Sequence, residues 1–212
     1  MTQAVMMVSN LLQLAVGREV EHEGPAQRTQ FTLAAALASL GFAAIWGLAA
    51  GSSSLGLALG NAYKLPMVVM LSALAAVPAG LLALRLTGTR FVARELLLAF
   101  ATSVFAGTMV LAVLSPLVAL YYHTSSWAGP YLGMGSAIAA LVIAISSFAR
   151  SAIGRADRSA GDVRLLAIPI VVMVLMQVAA LLQLIAMASP ILPETTVFDT
   201  GIDQLIRSGA TP

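Results

Sequence analysis

Five long apolar stretches separated by short polar links set the rhythm of this chain: about Phe31 to Ala50, Leu65 to Leu84, Leu96 to Leu120, Tyr131 to Ala149 and Leu165 to Ala188. Each reaches the roughly 20 residues that a helix needs to cross a bilayer. In hydrocarbon every backbone amide must be bonded within its own segment or around a closed barrel, and these stretches lack the inward and outward alternation of barrel strands. The pattern therefore predicts an all-α integral membrane protein, a five-span transmembrane helical bundle. A shorter apolar stretch, Ala4 to Val16, cannot span. Val5, Val8, Leu12 and Val16 lie along one side of it and Asn10 and Gln13 on another, which predicts an N-terminal interfacial amphipathic helix that rests on the membrane or docks on a neighbour. No basic segment precedes it, which argues against a cleavable signal peptide. The chain thus divides into a cytoplasmic N-terminal segment (1–30), a five-helix transmembrane domain (31–190) and an extracytoplasmic C-terminal tail (191–212).

Composition supports the same reading, because 59% of the residues are hydrophobic and 9% are charged, whereas a soluble domain carries roughly 25% charged residues. Nine of the eleven basic residues fall on one side if the N-terminus is cytoplasmic: Arg18, Arg28, Arg85, Arg90, Arg94, Arg150, Arg155, Arg158 and Arg164, against Lys64 and Arg207. That asymmetry sets the expected orientation. The link from Tyr121 to Pro130 has no Lys or Arg and is framed by Tyr121, Tyr122, Trp127 and Tyr131, the aromatic belt of the opposite interface. The basic residues form short clusters with no long stripe, so nucleic acid is excluded as a partner. With no cysteine, thiolate chemistry and disulfides are absent.

The stretch Gly47 to Val68, GLAAGSSSLGLALGNAYKLPMV, is the place to look for a phosphate loop or a nucleophile turn. Lys64 is followed by Leu65 and Pro66 where a phosphate loop needs Ser or Thr, and Gly51-Ser52-Ser53-Ser54-Leu55 lacks the closing glycine of a nucleophile elbow. The spacing that remains is four: Gly47 with Gly51, and Gly56 with Gly60. Small residues at that interval let helix backbones approach closely in lipid. The expectation is a helix end, an elbow with a short helical piece from Leu55 to Gly60, and a new span in which Pro66 occupies the first turn. The same spacing recurs at Ala99, Ser103 and Gly107 and at Ser136, Ala140 and Ala144, as packing faces within the protomer or contacts to partners.

Intramembrane ionisable residues are the usual mark of coupled transport, and none lies within the five runs away from their ends. Gln177 and Gln183 are the strongest polar residues there; six residues turn a helix by about 600°, so they point in different directions. Thr102, Ser103 and Thr108 can bond their own helix. Pro78, Pro116 and Pro169 are expected to kink their helices. Lys64 snorkels outward, while Arg94 and Glu95 stand at the cytoplasmic start of the third span. His22 and His123 fall on opposite faces, and Glu19, Glu21, His22 and Glu23 form a solvated acidic stretch rather than a converging metal site. Val197, Ile202, Leu205 and Ile206 in the tail make an amphipathic turn that would lie on the outer leaflet or cap the bundle. No catalytic set, cofactor fingerprint or metal centre is visible.

The span count, Lys64-Leu65-Pro66 followed by Met67 to Leu84, and the Arg85 to Glu95 link resemble the bacterial branch of the Yip family over about Thr32 to Pro190. That family is similar to the eukaryotic Yip/Yif membrane proteins, which bind Rab-type GTPases and influence membrane traffic. The resemblance implies an accessory or scaffolding protein of the bacterial inner membrane with no catalytic residues. The short N-terminal segment lacks the aromatic and acidic run of such proteins, so a GTPase partner does not carry over. The expected partners are the lipid bilayer and either other membrane proteins or further copies of this chain. The reading from a different class is a small transporter or channel subunit, or a membrane-shaping protein.

Overall fold

The structure is a computed structural model and describes residues 2–16, 24–125, 128–156 and 162–188. These form six helices: α1 (Thr2–Ala15), α2 (Pro25–Ala50), α3 (Leu55–Leu86), α4 (Ala93–Thr124), α5 (Ala128–Gly154) and α6 (Asp162–Ala188). Helices α2 to α6 are each long and apolar enough to cross a membrane. The chain is a multi-span, all-α membrane protein with a short helix ahead of its five spans.

Local chemistry explains the helix ends. α2 starts at Pro25, ahead of the apolar run, because proline is preorganised for the first helical position and the Gln27 side chain accepts a 3.4 Å bond from the Gly24 amide. α2 stops at Gly51, and Ser54 starts α3 by accepting the Leu57 amide at 3.2 Å. The elbow is therefore only Gly51 to Ser54. The short separate piece expected from Leu55 to Gly60 does not exist as such: α3 runs unbroken from Leu55 to Leu86, and Pro66 lies inside it rather than in its first turn. Membrane helices tolerate internal proline, since neighbouring groups can satisfy the freed carbonyl. α3 ends where Gly88 takes a φ of 65°, a left-handed conformation that suits glycine after a helix end.

The helices pack in the order α5, α4, α2, α3, α6, with α1 laid against α4 and in lesser contact with α2 and α5. α4 is the central element: 56% of its most apolar window is buried, against 22% for α6 at the edge. Although α3 and α4 are consecutive, they touch sparingly, since α2 packs along each of them. α3, α4, α5 and α6 converge on Ala76, Leu84, Leu96, Phe100, Phe148, Leu166 and Met173, with Phe100 and Phe148 edge to face at 5.4 Å. Near the other end, Trp46, Ala49, Leu65 and Val118 form a second core. Large apolar side chains such as Leu37, Leu74, Val113, Val142 and Leu175 point outward from all five long helices. Only lipid or another protein can cover so much apolar surface.

Candidate functional site

The most organised polar group lies where α2 and α4 begin and α5 ends. Glu95 is in the first turn of α4, where the positive pole of the helix favours a carboxylate. Its Oε1 accepts a hydrogen bond from Arg28 Nη1 in the first turn of α2. Its Oε2 accepts one at 3.3 Å from Nη1 of Arg155, just past the end of α5. The Arg155 and Glu95 side chains are only 8% and 16% exposed, so the ions are largely withdrawn from solvent and their bonds are charge-assisted. The node links three helices. In the sequence Arg28 and Arg155 read as topology determinants and Glu95 as the cytoplasmic start of the third span. The pairing itself was hidden by separations of 67 and 60 residues.

α1 is fastened close to the same end. Ser147 Oγ on α5 donates a 2.6 Å bond to the carbonyl of Ala15, one of the terminal carbonyls that a helix leaves without an internal partner. Leu11, Leu14 and Ala15 are buried in a cluster with Phe31, Ala35, Leu98 and Phe105. Val8, Leu12 and Val16, from the stripe expected to meet the membrane, are exposed. α1 thus has two apolar sides. The inward one was missed because Leu11, Leu14 and Ala15 lie off the valine stripe that dominates the pattern.

The small residues divide into those that touch a neighbour and those that do not. A Cβ on Gly47 would overlap the Asn61 carbonyl oxygen of α3, and one on Gly51 would lie 2.6 Å from the Ala58 Cα. On α4, a Cβ at Gly107 would come within 2.9 Å of the Ala140 carbonyl oxygen and the Ala144 Cβ of α5. Ser103 is buried one turn earlier, its hydroxyl donating to the Phe100 carbonyl. Ser136 accepts a 2.9 Å bond from the Trp46 indole and donates at 2.7 Å to the Gly133 carbonyl, so a residue singled out for size also joins α2 to α5 by hydrogen bonding. Gly56 and Gly60 face open space within the chain. Gly80, not singled out beforehand, receives the buried Met173 of α6 where a Cβ would stand.

Of the two glutamines, Gln177 is half-buried and Gln183 exposed, while the deeply enclosed amide is Asn61, which the unbroken α3 brings against Gly47. Pro78 and Pro116 are exposed and Pro169 is fully buried, each within a continuous helix. Arg85, Arg90, Arg94, Arg150 and Arg164 are all exposed. Arg150 bonds back to Ser146 on its own helix. Tyr122, half-buried, packs against Gly129 and Gly133. Arg18, Arg158, Trp127, the acidic stretch with His22, and the tail with Arg207 lie outside the described residues.

The buried hydroxyls of Thr102, Ser103, Thr108 and Ser115 donate to carbonyls of their own helix. Among the described residues, no three His, Asp or Glu side chains are grouped to hold a metal ion. This arrangement can fasten helices together and present charge at one end of the bundle. Comparison of the chain with protein-family models, with curated proteins and with solved structures finds no match.

Proposed function

We propose that this protein is a non-enzymatic accessory subunit or scaffold of a larger membrane assembly, in the bacterial inner membrane with its N-terminus cytoplasmic. The observation that carries this reading is where the polar groups go. Trp46 with Ser136, Ser147 with Ala15, and Glu95 with Arg28 and Arg155 all tie helices of this chain to one another. A transport path would instead need polar groups facing a route through the bundle. The resemblance to the bacterial branch of the Yip family supports the same role, and the clustering of Arg28, Arg85, Arg90, Arg94, Arg150, Arg155 and Arg164 at the ends of consecutive helices supports the orientation. Gly56, Gly60 and the exposed part of α6 around Gln183 are the surfaces open to a partner helix.

The test is reconstitution of the purified chain into liposomes loaded with radiolabelled ions, sugars and amino acids. Flux equal to that of empty liposomes agrees with the subunit reading. Saturable flux of any solute contradicts it and supports a transporter.

A further inference from the structure

The antiparallel pair α3 and α4 does not close along its length. Between them, with α2 as the floor, lies a cleft of about 150 Å³ lined by apolar side chains including Leu40, Val69, Ala73, Leu97 and Ala101, and by Thr32 and Ser39, whose hydroxyls donate to carbonyls of their own helix. Apolar cavities on the order of this size stay dry and accept hydrocarbon. The cleft lies among membrane-spanning segments, so the hydrocarbon at hand is an acyl chain.

One end of the cleft is electrically distinct. The link that joins α3 to α4 carries Arg85, Arg90 and Arg94, all exposed. Arg94 stands three residues before Leu97 and seven before Ala101, on the helical stripe that lines the cleft. It also occupies the first turn of α4, where the helix dipole opposes a cation, so its charge gains nothing from its own helix. Arg85 is in the last turn of α3, eight residues past Val77, where that helix leaves the cleft. Guanidinium charge thus lies past the same end of both walls, one turn beyond Leu97 at Arg94 and two turns beyond Val77 at Arg85, and suits a phosphodiester, which such groups bind through paired N–H donors.

We propose that the cleft between α3 and α4 binds one anionic phospholipid, with an acyl chain against Leu40, Val69, Ala73, Leu97 and Ala101 and its phosphate held by Arg85 and Arg94. The site fills the gap that two consecutive helices leave between them and ties their connecting link to the membrane surface. It stands whether or not the protein serves as a subunit.

The test is native mass spectrometry of the full chain, delipidated in detergent and offered phosphatidylglycerol and phosphatidylcholine in equal amounts. Preferential retention of one phosphatidylglycerol is expected. The preference should fall about fivefold for each of Arg85→Gln and Arg94→Gln, since an arginine near an anionic headgroup contributes about that factor. Arg164→Gln, at the same end but on α6, should leave it unchanged. Ala101→Leu, which fills the cleft, should lower retention of both lipids. Equal retention of the two lipids, an equal loss in Arg164→Gln, or displacement of the lipid by millimolar glycerol 3-phosphate would each overturn the proposal. The last outcome would mean that the acyl chain contributes nothing.

Discussion

Gly47 and Gly56 share a residue type and a helical setting, yet a methyl group should act on them in opposite directions. At Gly47 it meets a backbone carbonyl that cannot move without shifting α3, so Gly47→Ala is expected to lower stability by about 1–3 kcal/mol, as overpacking does. At Gly56 it meets open space, and Gly56→Ala should raise stability by up to about 1 kcal/mol through helix propensity. Denaturation of the purified protein in mixed detergent micelles checks both, and equal effects would mean that the two glycines share one environment. Glu95→Gln weakens the charge compensation of the nearly enclosed Arg155 and should cost about 1–3 kcal/mol in the same assay, below the value for a fully buried pair because Glu95 and Arg28 retain some exposure. The four-residue spacing of the glycines was legible in the chain. Which pair meets a neighbour was not, since that depends on the helix opposite. The Glu95 node was illegible for a related reason: each of its residues, taken alone, is an ordinary charge at a helix end.

Among the elements, α1 has the most conditional hold. It is too short to span, and its inward side rests on Leu11, Leu14, Ala15 and the bond from Ser147 to the Ala15 carbonyl. Ser147→Ala removes that bond at a cost of about 1 kcal/mol. The expected outcome is faster amide hydrogen exchange and protease cleavage across residues 2–16, with the exchange of α4 unchanged. Loss of protection in α4 as well would mean that α1 is part of the core. Existence and number of the long helices could be read from the sequence because hydrocarbon forbids unpaired backbone, which ties apolar length directly to structure. Their ends were less legible. α3 extends ten residues before the apolar run at Leu65, through Asn61 and Lys64, because Ser54 caps it and Gly47 and Gly51 let it approach α2. A hydropathy pattern registers the polar residues there but not the packing that accommodates them.

For the molecule as a whole, the order α5, α4, α2, α3, α6 separates α3 from α4 and α5 from α6 although each pair is consecutive, and no feature of the linear pattern announces that. α3 and α4 have 32 residues each, so each is about 48 Å long, more than the roughly 30 Å of hydrocarbon; they tilt or project beyond it. With five spans, reporters placed ahead of Met1 and after Pro212 should fall on opposite sides of the membrane. Both on one side would remove a span and reverse the loop assignments that follow it. The subunit reading itself is tested most directly by extracting the protein from its native membrane in mild detergent, sizing the particle and identifying what remains bound in fixed ratio. A particle containing different proteins at constant stoichiometry with this chain is the expected result. A particle made of this chain alone, unchanged across several mild detergents, would contradict it.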